Sequence, residues 1–230
     1  MKKLAVLTGA GISADSGIAT FRGAEGLWEG HDVTQVASPE GWAADPHLVL
    51  RFYNERRKQI LEVAPNAGHH ALVELEQHFE VVVVTQNIDN LHERAGSSKI
   101  IHLHGEITKV RSTTDENLVY DLDGWELKWG DVCENGSQLR PHIVWFGEMV
   151  PMMEVAIREV LDADLVLVVG NSLVVYPAAS LLQYAPASAP LFCVDPSIDE
   201  SMFQNKVTLI KEGAASGMPK MADLLIKDYA

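Results

Sequence analysis

Leu4-Ala5-Val6-Leu7-Thr8-Gly9-Ala10-Gly11-Ile12-Ser13-Ala14 is the stretch whose reading decides the fold. A short, continuously apolar run bounded by glycine suits a strand covered on both faces. The G-x-G-x-x-A that follows fits a loop opening a helix. There the missing Cβ atoms let backbone approach a pyrophosphate, and the helix dipole meets its charge. Taken alone, the pattern serves equally as a tight turn. An ordinary hydride-transfer enzyme also needs a second strand ending in an acidic residue about 20 positions further on. That region instead reads Gly17-Ile18-Ala19-Thr20-Phe21-Arg22-Gly23-Ala24-Glu25-Gly26-Leu27-Trp28, a glycine-rich, aromatic, lid-like segment. The loop therefore points to a dinucleotide and away from a plain dehydrogenase.

Three further runs repeat the first: Val81-Val82-Val83-Val84-Thr85, Leu165-Val166-Leu167-Val168-Val169 and Leu191-Phe192-Cys193-Val194. Helical periods lie between them over 47–62, 67–77 and 151–161, and another closes the chain over 218–226. Alternating strands and helices predict an α/β fold, a Rossmann-like doubly wound parallel sheet. Segment 106–140 breaks the rhythm. Leu118-Val119-Tyr120-Asp121-Leu122, then Asp123-Gly124, then Trp125-Glu126-Leu127-Lys128-Trp129 carries a hairpin signal, since both turn residues tolerate positive φ. Trp125, Leu127 and Trp129 would share one inward face of a small inserted module.

Composition bounds the rest. At 230 residues with 47% hydrophobic and 22% charged, the chain is too apolar for a disordered protein. Lysine plus arginine total 18 against 32 acidic residues, a net charge of −14, which disfavours nucleic acid and anionic membrane. Two cysteines, Cys133 and Cys193, exclude a disulfide framework and a four-cysteine zinc site. The apolar runs are strand-sized, and the N-terminus lacks a signal-peptide pattern. A cytoplasmic monomer is expected.

Two polar clusters follow strand-like runs. Thr85-Gln86-Asn87-Ile88-Asp89 falls where doubly wound sheets hold ligands. Its plainer reading is a cap on a helix over 91–95. His102-Leu103-His104-Gly105 offers two histidines at i and i+2. No third ligand pattern follows, so no metal is expected. His104 suits a general base near neutrality, or equally a half-buried structural histidine.

Together these pieces closely resemble the sirtuin family. The resemblance is carried, in order, by 9–13, 20–23, 86–89, His104-Gly105, Arg140-Pro141-His142-Ile143-Val144-Trp145-Phe146-Gly147-Glu148 and Gly170-Asn171-Ser172-Leu173-Val174-Val175-Tyr176-Pro177-Ala178. It spans nearly the whole chain. It implies a Rossmann-like part over about 1–28, 66–105 and 141–230. A small domain is implied over about 29–65 (helical) and 106–140 (ribbon-like). The implied reaction consumes NAD, removes acyl groups from protein lysines, and yields nicotinamide, O-acyl-ADP-ribose and free lysine. The implied catalytic residues are His104 as general base, with Asn87 and Asp89. The implied cofactor set is Gly9, Ala10, Gly11, Ile12, Phe21, Arg22, Trp28, Gln86, Asn87, Ile88, Asp89, Gly170, Asn171, Ser172, Asp195 and Ala215. Asp195 stands where asparagine is common.

The implied substrate set is Tyr53, Arg56, Val144, Trp145, Phe146, Gly147, Glu148, Val175 and Tyr176, with 144–148 pairing with the substrate backbone as an added strand. Tyr53 and Arg56, at i and i+3, share a helix face. They resemble the tyrosine-x-x-arginine of the subgroup preferring succinyl- and malonyl-lysine, with deacetylase activity alongside. Most sirtuins carry four zinc cysteines between His104 and Arg140. Here that stretch holds only Cys133 and no histidine, so no zinc is expected and the 123–124 hairpin is the candidate replacement. A protein ADP-ribosyltransferase and a non-catalytic NAD or ADP-ribose binder stand as alternatives.

Overall fold

The computed structural model describes residues 1–19, 27–28, 30–173, 176–203 and 205–230. Strand β1 (Lys3–Thr8) runs into α1 (Gly11–Ala14). A short ladder of β2 (Leu27–Trp28) and β3 (His31–Asp32) leads to α2 (Val33–Val36), α3 (Pro39–Ala44), α4 (Pro46–Glu62) and α5 (Ala67–Leu75). Next come β4 (Glu80–Thr85), α6 (Leu91–Ala95) and β5 (Ile100–His102). The chain then passes through β6 (Gly105–Ser112), β7 (Val119–Asp121) and β8 (Leu139–Ile143). It closes with α7 (Met153–Leu161), β9 (Leu165–Val169), β10 (Leu191–Val194), β11 (Val207–Ile210) and α8 (Ala214–Tyr229).

Six strands form one sheet in the order β11-β10-β9-β1-β4-β5, and every pairing is parallel. The β-branched runs alternate across it. Leu4, Val6, Val83 and Leu167 pack under α5 and α8, while Ala5, Leu7, Val84 and Val168 pack under α7. Period-two alternation with both faces apolar is what a helix-covered parallel strand requires. The chain winds first to one side of β1 and later to the other, which opens a crevice beyond the carboxyl ends of β1 and β9. Among the described residues, no helix is long and apolar enough to cross a membrane.

The smaller part gathers α2, α3 and α4 against a three-stranded antiparallel sheet of order β7-β6-β8. Proline and capping chemistry set its main helix. Pro46 opens α4, and Asp45 Oδ1 accepts from Leu48 N at 2.9 Å. The expected hairpin across Asp123-Gly124 does not form. Gly124 does take positive φ, +82°, but β7 pairs with β6, and 125–129 is not a strand. Trp125 is 40% and Trp129 54% exposed, and only Leu127 turns inward. The reason lies in α4. Asn54 and Arg57 bind the backbone of 125–127 and draw it along the helix instead of letting it fold back on β7.

Candidate active site

Two loops meet at the crevice. Gly9 N donates to Val169 O, and Gly11 N donates to Gly170 O at 2.9 Å. A Cβ on Gly9 would lie 2.7 Å from Gly170 O, and one on Gly11 2.6 Å from Gly170 Cα. The glycines of the first loop are thus required for backbone packing against Gly170, which itself takes φ +55°. That contact shapes the floor of a cavity of about 760 Å³, within the range of ligand-binding clefts.

A buried polar chain lines that floor. Asn87 Nδ2 donates to Gly9 O at 3.1 Å and to Ser13 Oγ at 3.3 Å; Ser13 Oγ donates to Asp89 Oδ2 at 2.9 Å. The other Asp89 oxygen accepts from Leu91 N at 3.0 Å. Asp89 thus closes a turn onto Leu91, the first residue of α6, while joining the site; the N-cap itself is Asn90, whose side chain makes no capping bond. Burial pushes the Asp89 carboxyl upward, opposed by these hydrogen bonds. Asn87 Oδ1 has no protein partner among the described residues and is available to a ligand amide or water.

His104 stands at the same wall. Its Nδ1 lies 3.0 Å from Gln86 O. A carbonyl only accepts, so Nδ1 carries the proton and Nε2 keeps its lone pair. Burial holds the imidazole below its ordinary pKa. A neutral histidine with a fixed tautomer is the arrangement a general base needs. His102 differs. Nδ1 faces Asn87 O at 3.1 Å and Nε2 faces Glu93 Oε1 at 2.6 Å, two acceptors, so both nitrogens are protonated. Glu93, His102 and Glu106 are the one metal-sized cluster among the described residues, and an imidazolium there cannot ligate.

The small part supplies the opposite wall. Tyr53 and Arg56, one turn apart on α4, both line the cavity beside Trp28 and Trp145. Arg56 Nη2 donates to Gln59 Oε1 at 3.0 Å, and its guanidinium lies 5.6 Å from the Phe52 ring. Trp145 Nε1 donates to Tyr53 Oη at 3.1 Å. Segment 144–148 departs from the extended form expected of it. Glu148 N donates to Trp145 O at 3.0 Å across Gly147 (φ +90°), closing a turn. The N–H groups of Val144, Trp145 and Phe146 are already occupied by His104 O, Glu148 Oε2 and Ala37 O.

The cavity also takes in Ala10, Gln86, Ile88, Asn171, Ser172, Tyr176 and Asp195. The Asp195 carboxylate is held by its own turn, accepting from Ser197 N and Ile198 N at 2.8 and 3.0 Å. Ile12 does not line the cavity: its side chain is wholly buried in the core. Ala215 is also set back, its N–H donating to Asp15 Oδ2 at 2.9 Å. Phe21, Arg22 and Val175 lie outside the described residues, as does most of the lid-like segment. Sequence reasoning missed Ser13, Asp15 and Gln59. A serine directly after Gly-x-Gly-x was the available sign for Ser13.

The ribbon has no zinc donor set. Cys133 Sγ lies 2.8 Å from Asn135 Oδ1 and 3.0 Å from Ser137 Oγ, which in turn sits 2.6 Å from Ser112 Oγ. One thiol among hydroxyls and an amide does not fit a tetrahedral zinc site.

A cavity at the switch point of a doubly wound sheet, with a neutral histidine facing it, defines an enzyme built around a nucleotide cofactor. The chain belongs to the Sir2 family, whose domain matches residues 9–177. It is 53% identical over 231 residues to the NAD-dependent protein deacylase of Bacteroides thetaiotaomicron, covering 98% of this chain and 99% of that protein. The NAD-dependent protein deacylase of Helicobacter pylori is also 53% identical, over 99% of each chain. A crystal structure of a Sir2 homologue with NAD matches with TM-score 0.89 and 37% identity, over 100% of this chain and 91% of that one. A Sir2 structure with deacetylated p53 peptide and 3′-O-acetyl ADP ribose matches with TM-score 0.80 and 30% identity, over 98% and 93%.

Proposed function

We propose that this NAD-dependent protein deacylase prefers lysine acyl groups that end in a carboxylate, succinyl and malonyl, and retains deacetylase activity. The observation that carries this reading is the pair Tyr53 and Arg56, both lining the cavity that His104 faces. A guanidinium binds a carboxylate through two parallel N–H donors, and a phenol adds a third. Each charge-assisted bond contributes about 1.5–3 kcal/mol, roughly tenfold or more in preference.

Bound NAD supplies an electrophilic ribose carbon with nicotinamide as the leaving group. The protein's part is position and charge. Asn87 Oδ1 offers an acceptor, and the chain from Asn87 through Ser13 to Asp89 fixes a polar floor that would hold the ribose. With NAD bound, His104 Nε2, whose lone pair is free, would be the group to accept a proton from a ribose hydroxyl. Trp28, Trp145 and Ile60 line an apolar wall around the lysine chain, which keeps bulk water from the reacting atoms. The exterior charge of −14 suits basic, lysine-bearing protein substrates.

The ribbon is read as metal-free, held by hydrogen bonds around Cys133 and by α4. The protein is read as a cytoplasmic monomer, and light scattering on purified protein tests the monomer.

Mass spectrometry of products from matched acetyl, malonyl and succinyl peptides tests the acyl preference. The succinyl peptide should show a kcat/KM at least about tenfold above acetyl. If Arg56→Met leaves desuccinylation intact, the acyl assignment is wrong.

A further inference from the structure

A second cavity, of about 240 Å³, shares Val144 with the first. Val144 N donates to His104 O at 2.9 Å, and Gly105, the next residue, lines the small cavity together with His142. One strand pair, β6 and β8, therefore borders both cavities. Leu103, Val144, Pro151 and Met152 give the small one apolar walls.

The charge beside it is not balanced. Glu148 is one carboxylate between two guanidiniums. Arg140 reaches it through both terminal nitrogens at 2.7 and 3.1 Å, and Arg111 through Nη2 alone at 3.1 and 3.2 Å. Arg111 lines the small cavity and is only 9% exposed, yet its Nη1 and Nε bond nothing among the described residues. Two cations against one anion leave a positive charge in a largely buried place, where charges need partners. The His102 imidazolium also borders the cavity, but Glu93 meets its charge at 2.6 Å. Glu116 stands at the rim, exposed to water that screens it.

Two further features point the same way. Helix α7 begins at this cavity: Met152, its N-cap, lines it, and no side chain caps the helix. The positive end of the helix dipole thus borders the cavity. Glu154 in the first turn is 85% exposed and lies 3.8 Å from Arg158 instead. His142 lines the cavity, and its buried Nδ1 has no protein partner among the described residues. Burial first, and then the Arg111 charge, hold this imidazole below its ordinary pKa; Lys109 and Arg140 add to that, and Glu106 opposes it.

We propose that the second cavity is a binding site for a small carboxylate with a short apolar tail, its oxygens held by Arg111 and the opening of α7 and its tail laid against Leu103 and Val144. The unused guanidinium donors supply charge-assisted hydrogen bonds, and the bound anion balances the cluster of Arg111, Arg140 and Glu148.

The test is calorimetric titration of the whole chain with sodium butyrate, sodium formate and inorganic phosphate. It is repeated on Arg56→Met, because Arg56 in the large cavity is the other candidate partner for a carboxylate. Butyrate should bind saturably in both, and formate, which lacks the tail, at least about tenfold more weakly. Arg111→Gln should weaken butyrate at least about tenfold. Met152→Glu, which sets a carboxylate of the protein's own at the partly exposed opening of α7, should weaken it as much. With butyrate bound, the His142 imidazole followed by NMR should titrate at higher pH, since a nearby anion favours its charged form. Absence of saturable binding overturns the proposal, as does a His142 titration that butyrate leaves unmoved. Binding that is lost in Arg56→Met belongs to the large cavity and also overturns it. So does binding that Arg111→Gln and Met152→Glu both leave intact, or phosphate bound more tightly than butyrate. Should Arg111→Gln fail to fold, Met152→Glu decides alone.

Discussion

Asn54 and Leu127, 73 residues apart, exchange two hydrogen bonds: Asn54 Nδ2 donates to Leu127 O at 2.9 Å, and Leu127 N donates to Asn54 Oδ1 at 2.9 Å. Arg57, one turn on, is wholly buried and binds Ile107 O at 2.6 Å and Trp125 O at 2.7 Å. Helix α4 therefore clamps the ribbon with one face and presents Tyr53 and Arg56 to the cavity with another. Asn54→Ala leaves two buried backbone groups unpaired, at a cost of roughly 2–4 kcal/mol. Calorimetry should show Tm falling by about 5–15 °C. A change under about 2 °C would show that the clamp contributes nothing to stability.

The ribbon should need no metal. Elemental analysis of purified protein is expected to give well under one zinc per chain, and EDTA should leave the melting curve where it is. Cys133→Ser keeps a hydrogen-bonding group beside Asn135 and Ser137 and should shift stability by less than about 1 kcal/mol. Stoichiometric zinc would overturn both expectations.

His104 must be neutral to act as a base, and burial holds its pKa below the ordinary 6.5. The acid limb of the kcat/KM profile should therefore have its midpoint below 6.5, with a plateau above. A midpoint above 7 is incompatible with this assignment. His104→Ala should lose about 10²–10⁴ of the rate at every pH.

His69 and His92 pack edge to face with centroids 5.0 Å apart, and burial is the main cause holding them down, to about 4 and about 3. Both are neutral when folded, but in the unfolded chain they take up protons as pH falls through 6.5. Stability should therefore drop below pH 6.5, by up to about 1.4 kcal/mol per histidine per pH unit. His102 works in the opposite window. Its bonds to Glu93 raise it despite burial, so its contribution is full below 6.5 and fades as pH rises through its folded value. Urea midpoints from pH 5 to 8 should peak near neutrality. A curve that keeps rising down to pH 5 would contradict the buried pair.

Ser13 joins Asn87 to Asp89, and no sequence signal pointed to it beyond its place after the glycines. Ser13→Ala removes the donor to Asp89 and the acceptor for Asn87. The expected loss is about 10- to 100-fold in kcat/KM, with Tm falling by about 2–10 °C because a buried carboxylate oxygen loses its donor. Full activity would mean the floor does not depend on this link.

Much of the molecule was legible in the chain. The runs at 4–8, 81–85, 165–169 and 191–194 became sheet strands because a helix-covered parallel strand asks only for local apolar, β-branched composition. The order of the polar clusters was legible too, since strand ends in such a sheet converge on one crevice. Residues 53 and 56 were read together because a helix repeats every 3.6 residues. Tertiary structure decided the rest. It turned 125–129 along α4, because two hydrogen bonds from a residue 73 positions away outweigh a local turn preference. It set the glycines of the first loop against Gly170. It also joined Tyr53 to Trp145, 92 positions distant. Periodicity and composition reach as far as a turn or a strand. Which buried group meets which across the fold depends on atoms that only packing brings together.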